Sequence, residues 1–371
     1  MLKRTYFPSD DRPIAVVIGS GFGGLAAAKD KAGEDQGQNI NTGLLPAWLG
    51  FTGTTRQNDV DVSFTISMQP NVSDNSLAGD NKTPLFRQTF LTFGDKSWGS
   101  IKLGKDLGIY AADAILNDMT LLGVGGVANT NGAAWMGSGS LTTIGGIGTG
   151  YIYAAWKGQI AYTTPNFNGF QATVGITNPN QGLASSGATS ATAALYQDRF
   201  GLEGQASYSF AANDVTGKVW VSGFSQKVNG MVSGETAYSA DIGANLKAGA
   251  FDLTGYYYTG EGTGTTIMLR DGYSLDRRAR ESDGGYVQAK VTLPTKTVAG
   301  ISWGRSNLDR AGTDADGSNL VKENEMTTAG LYHPLTKSIN LVAEYSHVKS
   351  QNHANQENKN NVGSLGAILF F

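Results

Sequence analysis

The sequence predicts an all-β fold: a transmembrane antiparallel β-barrel of about sixteen strands, with a long constriction loop folded into its lumen. Three observations predict it. Most of the chain moves in short alternating segments of roughly ten residues, the length of a tilted membrane-spanning strand. The connections between those segments alternate between short and long. One stretch, residues 105–149, breaks the alternation for about four times that length, and so long a structureless stretch inside a compact domain is usually functional.

Composition agrees. The 371 residues include 51 glycines against 9 prolines, which suits tight turns, and 15 tyrosines and 15 phenylalanines, which supply interfacial aromatics. Mean hydropathy is −0.22, and no run approaches the roughly 18 apolar residues of a spanning helix. A barrel hides its membrane signal, because only every second residue meets lipid. A net charge of −3 argues against nucleic acid as a partner. Without cysteine there is no disulfide, thiol nucleophile or thiolate metal site.

Residues 1–28 admit three readings, and the rest, 29–371, reads as a single barrel domain. The stretch IAVVIGSGFGGLAAA spaces Gly19, Gly21 and Gly24 as in a dinucleotide-binding turn, but no second strand with a ribose-binding acid follows. Lys3 and Arg4 before an apolar core at 14–28 suit a leader peptide, although Asp10 and Asp11 intervene. Residues 13–29 also read as a first strand that pairs with 360–371 and completes the strand count.

Two hairpins follow. In NDVDVSFTISMQ, Val60, Val62, Phe64, Ile66 and Met68 alternate with polar residues. A turn at Arg56-Gln57 would set Phe51 opposite Val62. The second hairpin, 84–104, turns about Asp95-Lys96. Opposing Gly94 with Ser97 puts Phe86, Phe90, Ile101 and Leu103 on one face and Arg87, Thr89, Ser100 and Lys102 on the other. The first face must meet lipid, since a charge there costs about 2–4 kcal/mol at mid-depth.

Beyond the long stretch, strands are expected at 150–163, 169–177, 196–210, 215–227, 234–247, 249–260, 283–294, 297–306, 323–334, 337–349 and 360–371. FGLEGQASYSF sets Phe200, Leu202, Ala206, Tyr208 and Phe210 against Glu203, Gln205, Ser207 and Ser209. YVQAKVTL sets Val287, Ala289, Val291 and Leu293 against Tyr286, Gln288, Lys290 and Thr292. Short connections at 55–57, 95–96, 164–168, 211–214, 248, 295–296 and 335–336 alternate with longer ones at 30–43, 70–83, 105–149, 178–195, 261–282, 307–322 and 350–359; that at 228–233 is intermediate. Such alternation separates the two rims of a membrane barrel.

Selectivity in wide channels comes from charged side chains at a constriction. Arg87 and Lys102 are expected on the wall near the root of the long loop, with Lys105 at its start. Asp106, Asp113 and Asp118 on that loop are expected to face them, giving a transverse field. Catalysis finds little support: His333, His347 and His353 sit in separate segments. GTDADGSNLVKE has Asp314, Asp316, Gly317 and Glu323 in a faintly calcium-loop-like order, but its first ligand position is Gly312. No cofactor is expected.

The chain resembles the Gram-negative general porins, which are trimeric sixteen-stranded outer-membrane channels. The resemblance is carried by LGFTGT at 49–54, FRQTFLTFGDKSWGSIKLGKD at 86–106, AYTTPNFNGFQATVG at 161–175 and the ending GSLGAILFF. It implies a homotrimer among outer-membrane lipids that passes small hydrophilic solutes and ions by passive diffusion. It also implies that Phe371, with Leu369, Ala367 and Leu365, is read by the outer-membrane assembly machinery. The third loop lacks the family's usual Pro-Glu-Phe-Gly-Gly run. Trp48 and Thr52 stand where relatives often carry arginine, which weakens strong anion selectivity. Two alternatives are a substrate-preferring channel, from lumen aromatics such as Trp48, Tyr256 and Tyr258, and a flavin or nicotinamide oxidoreductase, from Gly19, Gly21 and Gly24 alone.

Overall fold

The computed structural model describes residues 13–14, 28–29, 36–37, 47–69, 86–123, 145–180, 199–228, 235–314 and 320–370. One antiparallel sheet holds β1 Leu49–Gln57, β2 Val60–Met68, β3 Thr89–Asp95, β4 Gly99–Leu107, β5 Trp156–Thr163, β6 Phe170–Thr177, β7 Gly201–Ala212, β8 Val215–Val228, β9 Glu235–Ala248, β10 Phe251–Glu261, β11 Glu281–Thr292, β12 Val298–Leu308, β13 Val321–Pro334, β14 Ile339–Asn352 and β15 Glu357–Phe370. Each strand pairs with its neighbours in sequence. On the far side of β15, Pro13 lies opposite Phe370 and Ile14 opposite Leu369, which is the partner expected for a first strand; residues 15–27, with Gly19, Gly21 and Gly24, lie outside the described residues.

The period-2 pattern sorts the two faces of the sheet. Phe51, Phe64, Ile160, Ile242, Val287, Ile301 and Leu365 are each more than half exposed or close to it on the outward rows. Among the described strand residues, the outward rows carry acids or bases only toward their ends: Asp95 and His333 at the short-turn end, and the rest at the long-loop end. There β12 runs Ile301, Trp303, Arg305, and β14 runs Leu341, Ala343, Tyr345, His347, Lys349. That switch marks the edge of an apolar belt, because charge facing lipid is tolerated only near the interface.

The connections alternate as the sequence predicts, with two corrections. The first turn lies at Asn58-Asp59, with φ of 47° and 60°, and sets Phe51 opposite Ile66. Asn and Asp accept this left-handed geometry, which matches the twist of the flanking strands, better than Arg and Gln do. The last long connection shrinks to 353–356, because β14 and β15 extend further than the alternation alone suggests.

The second hairpin differs in register. Asp95 pairs with Gly99 across a three-residue turn, and Gly99 takes φ 92°. Asp95 accepts the Ser97 amide at 2.9 Å and fixes that turn. The odd offset exchanges the faces of β3 relative to β4. Leu91 and Phe93 therefore join Leu103 and Ile101 outside, whereas Thr92 opposes Lys102 inside. Phe90 also turns inward, its ring centroid 5.0 Å from Lys102 Nζ.

The largest apolar cluster lies within the lumen. Tyr110, Ala114, Ile115, Tyr151 and Ile152 of the long β4–β5 connection pack on Trp220, Phe224, Tyr256, Tyr258 and Tyr286 of the wall. Burial of these rings favours the connection's place inside.

Candidate functional site: the loop-narrowed lumen

The β4–β5 connection runs from Gly108 to Ala155 and crosses the inner wall strand by strand. Glu203 of β7 accepts the amides of Ile109 at 2.8 Å and Tyr110 at 3.0 Å. Ser222 of β8 accepts the Ala111 amide at 3.2 Å, and Tyr110 Oη lies 2.6 Å from Ser239 Oγ of β9. A short helix, α1 Ala112–Asn117, and a 3-10 turn, Met119–Leu122, follow. Gln288 of β11 accepts the Met119 amide at 2.9 Å and donates to the Asn117 carbonyl at 2.6 Å. Tyr286 donates to the Ala114 carbonyl at 2.8 Å. Farther on, a Cβ at Gly123 would overlap the Glu344 carboxylate, so a glycine there lets the chain lie against β14. On the return leg Gly150 donates to Ser306 of β12 at 2.9 Å. Residues 124–144 lie outside the described residues.

The six charged residues expected at the constriction have different fates. Lys102 and Asp106 do meet, as an ion pair on the lumen face, and Gln88 donates to Asp106 at 2.9 Å. However, Lys105 and Asp106 belong to β4 rather than to the loop, because the ladder with β5 continues to Leu107. Alternation then turns Lys105 outward, where its ammonium donates to the Phe86 carbonyl at 2.8 Å. Arg87 precedes β3, and its guanidinium lies over the Trp156 ring at 5.8 Å. Asp113, on α1, does not face Arg87 or Lys102. It pairs with Lys218 of β8 at 2.6 Å and accepts from Gln205 of β7. Asp118 is a buried fastener: it accepts from the Thr120 amide at 2.8 Å, the Gly146 amide at 3.0 Å and Tyr151 Oη at 2.7 Å. It thereby ties the outgoing and returning legs together.

Sequence reasoning missed the anchors. Glu203 was legible as a lumen residue by alternation, but its role was not. Its other oxygen accepts from the Lys157 ammonium at 2.7 Å, with side-chain exposures of 0% and 6%. Such a pair is favourable only where further hydrogen bonds satisfy it, and here Asn180 accepts from Lys157 at 2.8 Å. Tyr256 and Tyr258 are on the lumen face but lie beneath the loop, 6% and 0% exposed, and Trp48 is 9% exposed. None of the three offers a ring to a passing solute. Asp314 is taken by Arg280, at 2.6 and 2.7 Å, and Glu323 by Arg305 at 3.0 Å, so the two do not converge on a cation; Asp316 and Gly317 lie outside the described residues.

An apolar outer face, a polar inner face and a loop strapped across the lumen define an outer-membrane channel. The chain belongs to the Gram-negative porin family, whose model matches residues 17–353. It is a channel of a Gram-negative outer membrane that passes small solutes by passive diffusion.

Solved structures share the fold at low sequence identity. The outer membrane channel DcaP of Acinetobacter baumannii aligns with TM-score 0.64 at 15% identity, covering 91% of this chain and 89% of that one. An anion-selective porin from Comamonas acidovorans gives 0.59 at 15%, covering 92% and 95%. Salmonella typhi OmpF gives 0.58 at 16%, covering 92% and 95%. No curated protein sequence matches the chain.

Proposed function

We propose that the protein works as a homotrimer in which the loop within 105–149 sets the conductance. Lys102–Asp106 and Asp113–Lys218 are then the charged groups at the narrowing. The single observation that carries this is the row of anchors from β7 to β12, which holds the loop against the inner wall instead of outside the mouth. Two features support the trimer. Strands β1–β6 are seven to nine residues long, against eleven to fourteen for β7–β15. This shorter wall carries Phe51, Phe64, Ile160 and Val174 outward, with Lys105 as its one outward base among the described strand residues. An OmpT of Vibrio cholerae, with TM-score 0.52 at 13% identity over 90% of this chain and 94% of that one, is described as a trimer form. Phe371, proposed as the assembly signal, lies outside the described residues.

Planar-bilayer recording tests the reading. Excising 112–145 removes α1 and should raise single-channel conductance severalfold while detergent-resistant trimers persist. Unchanged conductance and unchanged reversal potential in a salt gradient would place the loop outside the conduction path.

A further inference from the structure

We propose that the channel favours uncharged, hydroxyl-rich solutes over ions of either sign, a preference that rests on the channel reading above. The first observation is the disposition of lumen charge. Six bases occupy lumen positions within the regular strand pairing: Arg56, Lys102, Lys157, Lys218, Lys247 and Lys290. Each has a carboxylate partner: Arg56 with Asp61 at 2.8 Å, Lys102 with Asp106, Lys157 with Glu203 at 2.7 Å, Lys218 with Asp113 at 2.6 Å, and Lys290 and Lys247 with Asp252 at 3.0 and 3.6 Å. Lys322 stands outside that set, because an irregularity at the upper end of β13 takes it out of the pairing. No row of one sign runs along the described wall to replace the hydration shell of an ion.

The second observation is what the wall of β1–β6 offers. The described part of the loop is anchored on β7, β8, β11 and β12, with Gly123 against Glu344 of β14 and Ile109 against Gly175 of β6. On these strands the inward side chains form cross-strand hydroxyl pairs: Ser63 with Thr92 and Thr163 with Thr173 at 2.9 Å, each partly exposed, and Thr52 with Thr65 at 3.0 Å, of which Thr65 is buried. Toward the short-turn rim, Thr54, Ser63, Thr92, Ser100, Thr164 and Gln171 line a cavity of about 820 Å³, together with Lys96 and the Arg56 pairs to Asp61 and Asp95. A hydroxyl both donates and accepts. A polyol passing this wall therefore exchanges water for wall hydroxyls with little net change. An ion meets bases of the regular strand pairing that already have carboxylates, and the lumen-row Asp241 is 6% exposed and accepts from the Ser222 amide and Tyr256; Lys96 at the short-turn rim is an exposed charge it can meet.

The test uses the full-length protein, extracted from membranes and reconstituted. Glucose should enter proteoliposomes roughly fivefold faster than gluconate or protonated glucosamine, a difference of about 1 kcal/mol, as expected from partial loss of ion hydration. Replacing Ser63 by Ala with Thr92 by Val, and Thr163 and Thr173 by Val, keeps the shape and removes the hydroxyls. Glucose entry should fall roughly threefold, the size of one net hydrogen bond, while KCl conductance stays as in the parent. Thr92→Ser and Thr163→Ser, which keep the hydroxyl, should restore entry and show that folding is intact. Equal entry of glucose and gluconate would overturn the inference, as would variants that slow glucose and KCl alike. Equal entry with normal KCl conductance refutes the preference and leaves the channel standing; absence of any conductance refutes the channel reading itself.

Discussion

Glu203→Gln should loosen the start of the long β4–β5 loop without releasing the loop. The change strands the Lys157 ammonium in a site where its side chain is 6% exposed, with the Asn180 carbonyl oxygen as its remaining oxygen partner. Breaking a buried pair by removing one partner costs about 3–5 kcal/mol. Against that stand the other ties: Ala111 to Ser222, Met119 and Asn117 to Gln288, Ala114 to Tyr286, and Gly150 to Ser306. Five such bonds, each contributing about 0.5–1.5 kcal/mol, are worth about 2.5–7.5 kcal/mol before the packing of Tyr110 and Tyr151 is added. Loss and reserve are comparable, so the first turn should detach transiently while α1 stays docked. Single-channel records should show flicker to a higher level, and limited proteolysis should cut more readily near 105–112. Adding Lys157→Met removes the stranded charge, and the glutamine oxygen still accepts the Ile109 and Tyr110 amides. The double variant should then be quieter than the single one. A Glu203→Gln channel that matches the parent in noise, conductance and proteolysis would refute the reasoning, and so would a double variant noisier than the single.

Asp113→Asn leaves Lys218 unpaired in the lumen, whereas Lys102→Gln leaves Asp106 unpaired. With screening over about 8 Å, one freed charge should change the anion-to-cation permeability ratio roughly two- to fivefold, toward anions in the first case and cations in the second. Zero-current potentials in a KCl gradient check both signs, and two shifts of the same sign would be incompatible with these pairings. The chain has no cysteine, so single cysteines report contacts cleanly. Val174→Cys on the short wall should cross-link copies in membranes while Ile242→Cys on the long wall should not, as read on denaturing gels; the reverse pattern would place the trimer interface elsewhere. At the long-loop rim, burial raises the Asp314 carboxyl, but the Arg280 guanidinium and the Ala311 amide more than offset this, so its pKa lies below the ordinary value. A depressed carboxyl stabilises above its unfolded value, about 3.9, and that contribution is lost as pH falls through the folded value. Proteolytic nicking near 310–314 should therefore stay low at neutral pH and rise only below about pH 4, and Asp314→Asn should be nicked at neutral pH too.

The wall was legible because its code is local. Each inward or outward position follows from the residue two places away, so FGLEGQASYSF and YVQAKVTL alone give the faces of β7 and β11. Register is less local, and the 84–104 hairpin shows where it fails. Whether the turn takes two residues or three depends on Gly99 accepting a positive φ and on Asp95 catching the Ser97 amide. Neither appears in the period-2 pattern, yet the difference turned Phe90 inward. In the first hairpin the turn moved from Arg56-Gln57 to Asn58-Asp59, which shifted the pairing by an even step and left its faces unchanged.

The loop follows a different logic, which explains why its acids were misassigned. On a strand, a charge in the lumen row is available to the lumen. On a loop lying against that wall, a carboxylate meets whichever backbone amides and side chains the crossing path brings near. Asp118 is spaced to cap the 3-10 turn that begins one residue later, and that local geometry fixes it before any pore function can. Asp113 lies in the first turn of α1, where a negative charge suits the helix dipole. Its cation is Lys218, 105 residues away in sequence, chosen by where α1 crosses β8. The crossing is in turn set by ring packing, with Tyr110 on Phe224 at 5.3 Å and Tyr151 on Tyr286 at 5.7 Å. Lumen aromatics therefore place the charged pair Asp113–Lys218 at the proposed narrowing. Replacing Tyr286 by Phe, which keeps the ring and loses the bond to Ala114, should leave selectivity unchanged; Tyr286→Ala should displace α1 and change selectivity and conductance together. Bilayer recordings in which the alanine variant alters neither would separate the ring packing from the placement of Asp113 and refute this account.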